Sequence, residues 1–104
     1  MISTQVIDIS LGRPAATILV VLDLFVTGHG WREIGQGVSD PDGIVETFGE
    51  NGGPGIYRLT YDIASYRSDP FFPSINVTFE LGGTEEDCHL GLHLSPFGYS
   101  VSRG

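Results

Sequence analysis

The chain has no lysine. Its five basic residues are all arginine and stand against thirteen acidic ones in 104 residues, a formal net charge of −8. A surface of that sign repels nucleic acid and anionic membrane, so neither is an expected partner. There is one cysteine, Cys88, which excludes an internal disulfide and suits a reducing compartment; a cytoplasmic location is expected. The apolar run at 17–26 falls well short of the roughly 20 residues a membrane-spanning helix needs, and Asp23 interrupts it. The first residues carry Asp8 and no basic stretch, so no secretory signal is expected. Without secretion, the sequon Asn76-Val77-Thr78 has no use as a glycosylation site. No linker or repeat divides the chain, and its length supports one modest core, so a single domain over 1–104 is expected.

What is present is a series of short apolar stretches broken by turn signals at intervals of roughly ten residues, the pattern of an all-β sandwich. Strands are predicted at 4–9, 17–26, 31–38, 44–48, 56–61, 75–81, 89–94 and 97–103, about eight in all. Gly12-Arg13-Pro14 reads as a turn after the first, Gly28-His29-Gly30 as a loop, and Asp40-Pro41-Asp42-Gly43 as a strong turn. Residues 50–55 read as a glycine-rich loop. Ile56, Tyr57 and Leu59 supply the apolar mass of the fifth strand, and Ile75, Val77, Phe79 and Leu81 alternate with polar residues in a half-buried one. Asp62 reads as the N-cap of one short helix at 63–67.

Two stretches narrow the fold. The chain opens with Ile7-Asp8-Ile9-Ser10-Leu11-Gly12-Arg13-Pro14-Ala15-Ala16 and closes with Leu94-Ser95-Pro96-Phe97-Gly98-Tyr99-Ser100-Val101-Ser102-Arg103-Gly104. Between them come Gly30-Trp31-Arg32-Glu33-Ile34-Gly35, Ser39-Asp40-Pro41-Asp42-Gly43, Tyr57-Arg58-Leu59-Thr60-Tyr61-Asp62 and Phe71-Phe72-Pro73. In this order and spacing the chain resembles the transthyretin and 5-hydroxyisourate hydrolase family over nearly its whole length. The resemblance implies a transthyretin-like sandwich of about eight strands with one short helix. It also implies a homotetramer, a dimer of dimers, in which edge strands pair between subunits and a channel holds two equivalent pockets. Residues 95–104 would lie at the subunit contacts. The hydrolases place their active sites in that channel, and transthyretin binds thyroid hormone there.

The resemblance also indicates where the hydrolase site should be. The hydrolases carry a His on the first strand, where this chain has Gln5, and an Arg directly after an Asp-Gly turn, where it has Ile44. The His of the penultimate strand is retained as His89. The Tyr of the tail is Ser102, followed by Arg103 and Gly104. Hydrolysis of a strained ring carbonyl needs an activated water and charge stabilisation for the developing oxyanion. Gln5 cannot take up a proton near neutral pH, and Ile44 has neither charge nor donor. Where the family has an aliphatic residue, this chain has His93, and period two puts His89, Gly91 and His93 on one strand face. Gly91 and Ser102 are smaller than the family's Pro and Tyr, which predicts a wider cavity.

The residues themselves admit other readings. His89 and His93 lie about 13 Å apart along the strand, too far to share one metal within a subunit, and no carboxylate accompanies them. No metal or cofactor is therefore expected. Alternation sends Cys88 to the opposite face from His89, which makes it a buried core thiol rather than a nucleophile. Glu85-Glu86-Asp87 reads as a solvated turn, His29 as an exposed loop residue, and Trp31, Tyr57, Phe72 and Phe79 as core or interface. Asp8 and Arg13 suggest a structural ion pair or turn bond.

Three functions remain open. One is a diverged hydrolase-like enzyme in which His89 and His93 act as acid and base on a small cyclic, heterocyclic substrate. Gln5, Ile44, Gly91, Ser100, Ser102 and Arg103 would contact that substrate, and the reaction could be ring opening or cyclisation. Another is a residual 5-hydroxyisourate hydrolase of purine catabolism. The third is a non-catalytic carrier of a small ligand.

Overall fold

The computed structural model describes residues 1–46, 53–83 and 87–104. Nearly all of the regular structure is β. The strands are β1 (Ile2–Asp8), β2 (Arg13–Pro14), β3 (Leu19–Val26), β4 (Gly30–Val38), β5 (Ile44–Val45), β6 (Gly55–Asp62), β7 (Ser74–Leu81), β8 (Cys88–Ser95) and β9 (Gly98–Arg103). They form two sheets. In the first, β1 pairs on one side with β2 and β5 and on the other with β8, which in turn pairs with β9. The second runs β4-β3-β6-β7. β1 and β8 are parallel; every other pair is antiparallel.

Period-two alternation explains which faces meet. β1 buries Ile2, Thr4, Val6 and Asp8, and β8 buries Cys88, Leu90, Leu92 and Leu94. Opposite them stand Val20 and Leu22 of β3, Tyr57, Leu59 and Tyr61 of β6, and Ile75 and Leu81 of β7. The polar atoms inside this core are satisfied. Tyr61 Oη and Thr4 Oγ1 share a hydrogen bond of 2.7 Å, and Thr4 Oγ1 donates to the Leu90 carbonyl at 2.8 Å. Burial pushes the Tyr61 phenol up to about 12, so it stays neutral. Ser39, also buried, accepts from Ile18 N and donates to Ala15 O, both at 2.9 Å.

One turn positions the first sheet's short edge strand. Asp40 Oδ1 accepts from Asp42 N and Ile44 N, both at 2.9 Å. Gly43 sits at φ +77°, and a Cβ there would lie 2.4 Å from the Val6 carbonyl oxygen, so only glycine fits. The turn therefore delivers Ile44 against Gln5 in register.

Several local expectations differ from the structure. Arg13–Pro14 is a short strand rather than part of a turn, because Pro14 and Arg13 pair with Ile7 and Asp8. The second long strand begins at Leu19, not 17, since Thr17 adopts φ +65° and breaks the extended run. The fourth predicted strand spans only Ile44–Val45; its predicted remainder at 47–48 lies outside the described residues, as do 50–52 of the loop and 85–86 of the acidic run. The helix at 63–67 is one turn of 3-10 helix, Ile63–Ser65. Asp62 does not cap it through its side chain; instead Ser65 Oγ donates to the Asp62 carbonyl at 2.7 Å. In β6 the inward apolar residues are Tyr57, Leu59 and Tyr61, while Ile56 points outward.

Of the ion pair or turn bond expected around Asp8 and Arg13, the turn bond is present, with Asp8 Oδ1 accepting from Ser10 N at 3.0 Å and Leu11 N at 3.2 Å. Arg13 is exposed and pairs with Asp8 through the strand register. The fully buried carboxylate instead meets Arg67 Nη2 at 3.1 Å and Tyr66 Oη at 2.7 Å. Trp31 is partly exposed on the outer face of the second sheet. It packs edge-on to Phe25 with ring centroids 5.4 Å apart, and the Arg58 guanidinium lies 4.3 Å over it.

Candidate active site

The residues that do not enter the core make the outer face of the first sheet. On β1 these are Ser3, Gln5 and Ile7; on β8, His89, Gly91 and His93. Strand register lays them out in rows. Ser3 is opposite His89, Gln5 opposite Gly91, and Ile7 opposite His93. On the far side of β8, Gly91 pairs with Ser102 and His93 with Ser100. Ile44 pairs with Gln5 from β5. One row across four strands thus reads Ile44, Gln5, Gly91, Ser102, and its neighbour reads Ile7, His93, Ser100.

Seven of the eight candidates therefore share this face. Arg103 does not follow by alternation, because it pairs with Leu90 and so sits on the other side of β9 from Ser100 and Ser102. It lies at the strand end, where its Nη2 donates to the Asp87 carbonyl at 3.4 Å. There it helps line an open depression of about 520 Å3, together with Ser3, Asp87, Cys88 and His89. Gln5, Ile44, Gly91, His93, Ser100 and Ser102 lie outside this depression.

Contacts fix several of these side chains. Gln5 Nε2 donates to the Asp42 carbonyl at 3.0 Å, which ties it to the turn that carries Ile44. Ser3 Oγ and His89 Nδ1 are 2.8 Å apart. The Gly104 N–H donates to the His89 carbonyl at 2.9 Å. The room expected at Gly91 is already used in part. A Cβ built there would stand 3.5 Å from Ser102 Oγ and 3.7 Å from His93 Cε1, so the His93 imidazole leans towards the position where a side chain is missing.

Such a face can move protons at two imidazoles and can orient a small polar molecule with hydroxyl and amide groups. The Cys88 side chain is buried on the other side of the strand. Among the described residues no group of three or more His, Cys, Asp or Glu side chains stands together in a way that could hold a metal ion. Among the described residues no helix is long and apolar enough to cross a membrane. Sequence reasoning missed Ser3. Its only signal was a hydroxyl two residues before Gln5 on the alternating outer face, and that carries meaning only once β1 and β8 are seen to be parallel neighbours.

Comparison with known proteins agrees with this architecture. The chain is 34% identical over 110 residues to 5-hydroxyisourate hydrolase from Salmonella dublin, covering all of this chain and 80% of that protein. It is also 34% identical over 122 residues to the uric acid degradation bifunctional protein TTL of Arabidopsis thaliana. There it covers 99% of this chain but only 36% of the longer relative. Among solved structures, sea bream transthyretin in complex with thyroxine superposes with a TM-score of 0.89 at 26% identity, covering 99% of this chain and 93% of that one. Residues 2–104 match the sequence model of the HIUase/Transthyretin family, and the chain belongs to that family, on a transthyretin-like all-β sandwich.

Proposed function

We propose that this family member is an enzyme that works at the outer face of its first sheet. On this reading His89 and His93 move protons for a small heterocyclic substrate in a reaction other than efficient hydroxyisourate hydrolysis. The observation that carries the reading is the pair of imidazoles on one strand face, His93 leaning over Gly91, with Gln5, Ser100 and Ser102 in the adjoining rows. A ring carbonyl held there would be attacked by a water that gives its proton to one imidazole. The imidazolium so formed would return that proton to the ring heteroatom as its bond to that carbonyl carbon breaks, while the other imidazole donates a hydrogen bond to the carbonyl oxygen. Ring closure is the same sequence reversed.

Ile44 and Gly91 shape the surface in this reading, and Arg103 at its end meets a negative group of the ligand. The test is His89→Ala and His93→Ala, assayed on a panel of small cyclic amides and imides. Both variants are expected to lose most of the turnover found for wild type while remaining folded. Full turnover in both overturns the roles given to His89 and His93. Binding of a panel member with no turnover by wild type would instead favour a carrier, a role in keeping with the thyroxine complex of sea bream transthyretin.

The same reading makes the working form a cytoplasmic homotetramer, a dimer of dimers, from a domain spanning 1–104. Its support is the first sheet's open edge. Among the described residues β9 pairs with β8 alone, and Tyr99, Val101 and the adjacent Phe97 are exposed along it, Phe97 at 79%. An unpaired edge of this kind invites another chain. Light scattering at micromolar concentration is expected to give four times the chain mass, and a stable monomer would overturn the assembly.

A further inference from the structure

Building on His89 as a working group, we propose that Ser3 is its positioning residue. It holds the neutral imidazole as the Nε2–H tautomer, so that His89 meets the substrate as a hydrogen-bond donor and not as a base. Parallel pairing of β1 and β8 sets Ser3 directly opposite His89. Its Oγ lies 2.8 Å from Nδ1, both side chains are half-buried, and both line the same depression. The His89 backbone is held in turn, its carbonyl accepting from Gly104 N.

The direction of the bond follows from counting protons. A serine hydroxyl has one proton to give, and among the described residues His89 Nδ1 is its hydrogen-bond partner. If Nδ1 carried the ring proton, Oγ would accept in this contact, and its own proton would have to turn away from His89. Donation from Ser3 satisfies both groups and leaves the ring proton on Nε2, the nitrogen a free neutral imidazole already prefers. The hydrogen bond made at one ring nitrogen sets the state of the other.

This divides the labour of the face. A neutral Nε2–H can donate to a carbonyl oxygen or to a ring nitrogen lone pair, but that atom cannot take up a proton. The base role falls to His93, whose row neighbours are Ile7 on β1 and Ser100 on β9; among the described residues neither is hydrogen-bonded to its ring. The substrate recognised by His89 is then one that offers an acceptor, such as the exocyclic carbonyl of a lactam or imide ring.

The experiment is a long-range 1H–15N correlation spectrum of the histidine rings, at a pH where the imidazole is neutral, with His89→Ala used to assign the signals. In wild type, His89 Nδ1 is expected to resonate in the pyridine-like range and Nε2 in the pyrrole-like range. Ser3→Ala should move both towards averaged values, and Ser3→Thr, which keeps the hydroxyl and suits a strand, should restore them. Ser3→Ala should also lower kcat about fivefold with little change in KM, the size expected for loss of one hydrogen bond. A proton on Nδ1 in wild type, or ring signals that do not respond to Ser3→Ala, overturns the positioning role and leaves His89 catalysis standing. Full turnover in His89→Ala overturns the catalytic reading instead, whatever the ring signals show.

Discussion

Freshly generated 5-hydroxyisourate should be turned over at least about 100-fold more slowly than by a family member with the complete hydrolase set, since loss of a general base or of a charge donor typically costs that much or more. The family pattern implied by the resemblance has a His and an Arg where this chain has Gln5 and Ile44. The two positions are direct partners across β1 and β5, so the loss falls on one row of the face. Gln5 is further committed by its hydrogen bond to the Asp42 carbonyl, and the row from Ile44 to Ser102 presents no group that ionises near neutral pH. The register also supplies the converse experiment. Gln5→His together with Ile44→Arg would set an imidazole and a guanidinium side by side on a turn that Gly43 and Asp40 already fix. The double variant should recover hydroxyisourate hydrolysis by about tenfold or more over the parent, with steady-state decay of the substrate absorbance as the readout. A parent rate equal to that of a complete hydrolase would mean that other residues carry the chemistry.

The sandwich was legible because alternation is a local signal. Ile75, Val77, Phe79 and Leu81, or Leu90, Leu92 and Leu94, announce both a strand and its buried side within eight residues. What escaped was whatever depends on a partner far away in sequence. Arg13–Pro14 is too short to show any period, and it is a strand only because Ile7 and Asp8 pair with it. The turn bond at Asp8 is local, made to Ser10 N and Leu11 N, whereas its ion-pair partner Arg67 arrives from the turn after β6. The 3-10 turn stops after Ser65 while Tyr66 and Arg67 reach back to the Asp8 carboxylate.

The candidate site divides the same way. The shared face of His89, Gly91 and His93 follows from period two alone. The rows that join them to Gln5, Ile44, Ser100 and Ser102 rested on resemblance until the register supplied them. Ser3 required knowing that β1 and β8 run parallel, which nothing local encodes. At Gly91 a Cβ would meet Ser102 Oγ at 3.5 Å and His93 Cε1 at 3.7 Å, ordinary contacts that no pattern along one strand can announce.

The largest effect on stability is expected at Asp8. Its carboxylate is fully buried and accepts from Ser10 N at 3.0 Å, Leu11 N at 3.2 Å, Tyr66 Oη at 2.7 Å and Arg67 Nη2 at 3.1 Å. Ser10 Oγ donates to it as well. Burial opposes ionisation, but the hydrogen bonds from Ser10, Tyr66 and the backbone of Leu11 outweigh it and hold the Asp8 carboxyl below its ordinary range. The same contact, on top of burial, raises the Tyr66 phenol. Asp8→Ala would leave a phenol, a guanidinium and two backbone N–H groups without their acceptor, and removing one partner of a buried ion pair costs about 3–5 kcal/mol. For a domain of this size that lowers Tm by roughly 10–25 °C. The sign of the pH dependence follows from the depressed carboxyl. Its stabilisation is complete above the unfolded value of about 3.9 and is lost as pH falls from there through the lower folded value. Urea midpoints measured from pH 7 downwards should therefore fall steeply below about pH 4 in wild type. In Asp8→Asn, which keeps the shape and one acceptor oxygen, the midpoint should start lower and the acid slope should be shallower. Equal acid slopes in the two proteins would show that other carboxylates govern acid unfolding, and a Tm unchanged in Asp8→Ala would remove this cluster from the account of the fold.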